Sequence, residues 1–141
     1  MAEHLAPPSR TLGELERDAA ELWATLPHGA VVWLSGDLGA GKTTFVQAVA
    51  RAARAGPARS PSFALVHWYP SPEGPLIHVD CYRLRSPAEA ADLELHALAR
   101  EARMLLVEWP ERAGPHVPPP DAHLVLAHGE RPDERNIVRV R

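Results

Sequence analysis

Gly36-Asp37-Leu38-Gly39-Ala40-Gly41-Lys42-Thr43 fits the pattern G-x-x-x-x-G-K-[ST], and those residue types at that spacing suit the binding of phosphate. Gly39 and Gly41 allow positive φ, so the backbone can approach an anion closely. The amides of the loop and of the helix that follows then point at the phosphates, and the helix dipole adds to the attraction. Lys42 supplies a slim charge that reaches the β- and γ-phosphates, and the Thr43 hydroxyl offers an oxygen to Mg²⁺. Lys42 is the single lysine among fifteen lysine and arginine residues. A guanidinium fork is too broad to replace it. By chance the pattern arises in about one chain of this length in a hundred. The segment from Gly36 to Thr44 is therefore a candidate nucleotide-binding loop.

A phosphate loop that also performs chemistry needs a carboxylate for the metal, at the strand ends where ligands of open α/β sheets bind. Two residues qualify. Glu108 ends the apolar run Met104–Val107, which reads as a central strand. Asp80 ends Leu76–Val79, a run interrupted by His78 and so more typical of a half-exposed strand. Glu108 is the favoured Mg²⁺ ligand with Thr43, and Asp80 a second group near the γ-phosphate.

The elements that must hold these residues can be read along the chain. Thr11-Leu12-Gly13-Glu14 has the form of a capping box, and Leu12, Leu15, Ala19, Leu22, Trp23 and Leu26 follow helical spacing up to Pro27. Ala30–Leu34 reads as a buried strand entering the glycine loop. A second helix carries Phe45, Val46, Val49, Ala50 and Ala53 on one face and stops near Gly56-Pro57. Residues 63–69 and 76–80, joined by a short Pro/Gly turn, predict an antiparallel hairpin. Ser86-Pro87-Ala88-Glu89 has the form of another capping box, opening a helix expected to run to about Arg103. Strands follow at 104–108, 122–127 and 136–140. The expected architecture is α/β: a single P-loop NTPase-like domain over residues 1–141, three layers α/β/α around a mixed sheet.

Composition narrows the function. Hydrophobic residues make up 45% of the 141, enough for one ordinary core, and the net charge of −3 argues against a broad nucleic-acid-binding face. One cysteine, Cys81, excludes an internal disulfide and suits a reducing compartment. No secretory signal or membrane-length apolar run is visible, so a cytoplasmic protein is expected, with no membrane or DNA partner. The eight histidines show no metal-ligand spacing. Cys81 reads as a small packing side chain, and Arg139 and Arg141 as a solvated face.

Four blocks in order carry a family resemblance: 36–44, Ser-Pro-Ser-Phe-Ala-Leu-Val at 60–66, His-Val-Asp-Cys-Tyr-Arg-Leu at 78–84 and Leu-Val-Glu-Trp-Pro-Glu-Arg at 106–112. Together they resemble the TsaE family, small P-loop ATPases of bacterial tRNA threonylcarbamoyladenosine biosynthesis. One departure is Ser62, where the family usually has threonine; the hydroxyl is kept. The resemblance implies an ATPase using ATP and Mg²⁺. It would act with the proteins TsaD and TsaB, which modify the adenosine beside the anticodon, resetting that pair between turnovers and meeting tRNA only through it. It also implies that Asp80, Tyr82 and Arg83 lie in a switch-like segment facing the partner, and that the Ser62 hydroxyl keeps a contact to the γ-phosphate region. Trp109 would sit beside the metal ligand and Arg135 over the adenine. The missing second lysine argues against a GTPase of the usual kind, whose Asn-Lys-x-Asp block needs one. A small-metabolite kinase with Arg83 and Arg85 in a lid, and a nucleotide-sensing assembly factor without turnover, are the alternatives.

Overall fold

The computed structural model describes residues 11–37, 39–58 and 65–141. Helix α1 (Leu12–Thr25) starts as its sequence demands: the Thr11 hydroxyl accepts from the Glu14 amide and the Glu14 carboxylate accepts from the Thr11 amide, so both halves of the capping box are formed. Strand β1 (Ala30–Ser35) leads through the glycine loop into α2 (Lys42–Ala52). Strands β2 (Val66–Tyr69) and β3 (Leu76–Asp80) form the expected antiparallel hairpin. Helices α3 (Pro87–Ala91) and α4 (Leu95–Glu101) precede β4 (Met104–Glu108). Two short 3₁₀ turns over Pro110–His116, kinked at Gly114, lead on to β5 (Ala122–His128) and β6 (Arg135–Arg139).

The six strands make one mixed sheet in the order β2-β3-β4-β1-β5-β6. Its four inner strands are parallel, and each edge strand returns antiparallel beside its neighbour. Alternation along the strands gives the sheet two apolar faces. Val32, Leu34, Leu76, Leu106 and Leu124 pack under Leu22 and Trp23 of α1 and Phe45, Val46 and Val49 of α2. On the other face Val31, Ile77, Leu105 and Val107 meet Ala90 of α3, Leu95 of α4 and Ala113. The fold is three-layered α/β/α of the P-loop NTPase-like kind.

Three expectations need correction. The helix opening at Pro87 does not run unbroken to Arg103: residues 92–94 interrupt it, and Glu94 takes the left-handed conformation at φ 51°. The break turns α4 so that Leu95 can enter the core. The capping box at Ser86 is also incomplete. Ser86 is the N-cap but its side chain makes no capping bond, and the Glu89 carboxylate instead accepts from the Arg85 amide. Finally, β3 is not half-exposed. It lies between β2 and β4, and His78 is only 6% exposed, because a buried partner satisfies its ring.

Candidate nucleotide-binding site

Gly36 leaves β1 at φ 141°, and a Cβ there would stand 2.2 Å from the backbone oxygen of Leu126 on β5. Only glycine lets the loop pass so close to the sheet. Ala40 N donates to Asp37 O at 3.0 Å, tightening the turn, and Gly41 at φ 100° is the N-cap of α2. Because Gly41 carries no capping side chain, the first-turn amides of α2 keep their donors for an anion. The Arg135 stem covers Gly41, its Cγ 3.2 Å from where a Cβ would stand. A Gly41→Ala chain is therefore expected to lose about 1–2 kcal/mol of stability through its left-handed backbone. It should also lose most of its phosphate affinity, checked by thermal melting and nucleotide titration together.

Lys42, only 5% exposed, folds its ammonium back on the loop, donating to Gly36 O and to Asp37 O at 2.9 Å. The same nitrogen lies 4.6 Å from the ring centroid of Trp109. Trp109 directly follows β4 at φ 56°, a conformation costly for a bulky side chain, and its amide donates to Leu34 O at 3.3 Å. That sharp turn brings the indole back over the phosphate loop. Its ring meets Tyr82 at 5.1 Å, and the Arg112 guanidinium lies 4.9 Å from the Tyr82 ring and 5.5 Å from that of Trp109.

Gly39, Gly41, Lys42, Thr43, Thr44, Asp80, Tyr82, Glu108, Trp109 and Arg135 line one cavity of about 230 Å³ at the carboxyl ends of the parallel strands. Asp80 and Glu108 are neighbours in the β3–β4 register. Asp80 Oδ1 accepts from the Tyr82 amide at 3.0 Å, so this carboxylate also shapes the turn after β3. Thr43 and Glu108 present hard oxygen donors in the same space, a set that suits Mg²⁺ completed by phosphate oxygens and water. Cys81, between Asp80 and Tyr82, is fully buried, and burial followed by the charge of Asp80 pushes its thiol up to about 12. It stays a neutral packing group.

Not every expected residue lines this cavity. Gly36 and Asp37 contribute through their carbonyls to Lys42, and Ala40 is buried under the loop. Arg83 is exposed and outside the lining. Leu38 and Ser62 lie outside the described residues. The sequence reading also passed over a second cavity of about 230 Å³ that shares Thr44 and Arg135 with the first and adds Thr11, Leu12, Leu15 and Asp133. The Leu12 side chain, 54% exposed, offers an apolar surface there. Thr11 was legible only as a helix cap.

A glycine loop between a parallel strand and a helix, with two carboxylates at adjacent strand ends, makes this a P-loop NTPase-like protein in architecture. The family model for threonylcarbamoyl adenosine biosynthesis protein TsaE matches residues 9–137, and the chain belongs to that family. The tRNA threonylcarbamoyladenosine biosynthesis protein TsaE of Aquifex aeolicus is 41% identical over 100 residues, covering 69% of this chain and 70% of the relative. The protein of the same name from Nostoc sp. is 37% identical over 114 residues, covering 77% and 69%. Among solved structures, that of Bacillus subtilis YdiB superposes with a TM-score of 0.73 at 28% identity, over 92% of this chain and 80% of that one.

Proposed function

We propose that this chain binds ATP with Mg²⁺ and hydrolyses it in support of threonylcarbamoyladenosine formation on tRNA, acting on a TsaD–TsaB pair to reset it between turnovers in the cytoplasm. The observation that carries the reading is the convergence of Lys42, Thr43, Asp80 and Glu108 on one cavity at the strand ends. The adjoining groove under Arg135, with Leu12 and Leu15 as its apolar wall, receives the adenine. Lys42 exchanges its carbonyl partners for the β- and γ-phosphates, and the α2 amides bind the remaining oxygens. Thr43 and Glu108 would hold Mg²⁺, which would neutralise phosphate charge. Asp80, across from Glu108, orients the attacking water. Arg112, exposed and outside the lining itself, lies over the rings of Tyr82 and Trp109, which do line the cavity, and so is a cation in cis that could meet developing charge. Arg83 and Arg85, the lid residues of the metabolite-kinase alternative, are exposed and do not line the cavity. No helix among the described residues is long and apolar enough to cross a membrane.

The test is ATP hydrolysis with and without purified TsaD and TsaB. Slow turnover alone should rise about tenfold or more with the pair, because phosphoryl transfer depends on positioning and cationic groups that a partner completes. Arg83→Ala, altering an exposed residue beside the Asp80–Tyr82 turn, should keep ATP binding and lose the stimulation. Full turnover by the isolated chain, unchanged by the partners, would overturn the reading.

A further inference from the structure

His78 lies on β3 two residues before Asp80, so strand alternation places it on the same sheet face as Asp80 and Glu108. Its Nε2 is 2.6 Å from Glu108 Oε2, and the two residues are 6% and 3% exposed. An ionised carboxylate only accepts, which assigns the hydrogen to Nε2 as donor. The His67 ring, on β2, stacks on His78 at 5.5 Å and 21°, fixing the plane of the donor. We propose that His78 is a positioning residue that clamps Oε2 of Glu108, leaving Oε1 as the metal-facing oxygen and setting the metal affinity of the nucleotide site. The inference rests on the Mg²⁺–nucleotide reading given above.

The chemistry favours this over mere satisfaction of a buried acid. A carboxylate that binds a metal through one oxygen can have the other held by a hydrogen-bond donor, and without that donor it is free to rotate. Groups that hydrogen-bond such a ligand orient it, and their loss typically costs about 10- to 100-fold in metal affinity or activity. Among the described residues Glu108 makes no other side-chain hydrogen bond, and His78 otherwise meets only the stacked His67 ring. Removing the histidine therefore frees the carboxylate to turn.

Mn²⁺ serves as the probe, titrated by electron paramagnetic resonance in the presence of a non-hydrolysable ATP analogue, beside calorimetry of the same analogue in EDTA and thermal melting in EDTA. His78→Ala should raise the Mn²⁺ concentration for half-saturation by about 10- to 100-fold. Metal-free analogue binding should be unchanged, and His78→Gln, whose amide reaches the same position, should recover most of the loss. If His78→Ala does not fold, His78→Phe keeps the ring volume without the donor and carries the same expectation. A folded Ala or Phe variant with parental Mn²⁺ affinity overturns the inference, as does a loss that His78→Gln fails to recover. The underlying reading fails separately: there, the parent chain shows no nucleotide-dependent Mn²⁺ binding, or Glu108→Gln leaves that binding intact.

Discussion

A Lys42→Ala chain is expected to fold and to bind ATP at least about 100-fold more weakly than the parent. Two charge-assisted hydrogen bonds to phosphate are worth about 1.5–3 kcal/mol each, and every 1.4 kcal/mol is tenfold in affinity. The fold should survive because the ammonium bonds only to the loop carbonyls of Gly36 and Asp37 and faces the Trp109 ring. Freeing those carbonyls costs about 1–2 kcal/mol, a shift of a few degrees in melting. Lys42→Arg should bind poorly as well, because a planar fork does not fit between two carbonyls and an indole set for a single nitrogen. Calorimetry of both variants is the check. Near-parental ATP affinity in a folded Lys42→Ala would remove the phosphate-loop assignment.

The parts of the site that the sequence made legible are those in which local chain chemistry decides. The glycine loop is contiguous, and its glycines answer to positive φ and close approach at Gly36 and Gly41. Glu108 could be ranked because an uninterrupted apolar run before it meant a strand buried on both faces, as β4 is. Thr11 announced α1 through its capping box. What escaped depends on which distant elements meet. His78 looked like an exposed interruption because a histidine in a strand does not reveal that a carboxylate 30 residues later will take its proton donor. The groove formed by Thr11, Leu15, Asp133 and Arg135 exists only because β6 returns along β5 and lays Arg135 over the start of α2. The break at Glu94 left no mark either, since a glutamate at positive φ is imposed by packing and not by propensity.

Glu108→Gln should lower Mg²⁺-dependent ATP hydrolysis by about two orders of magnitude, the scale of losing one group that stabilises developing charge. Metal-free ATP should bind as before or slightly better, because one buried negative charge beside the phosphates has gone. The substitution isolates charge from shape. A glutamine has the same length, and its carbonyl oxygen can still accept from His78 Nε2, so the β3–β4 junction stays packed. Asp80→Asn is the informative companion. Asp80 already accepts from the Tyr82 amide, and an asparagine can do the same, so the turn survives while the second charge is lost. If Asp80 orients water rather than holding metal, as proposed, Asp80→Asn should slow turnover without shifting the Mg²⁺ concentration for half-activation. Glu108→Gln should shift it upward. Hydrolysis measured across a Mg²⁺ titration for both variants decides the matter, and the opposite pattern would exchange the roles of the two carboxylates.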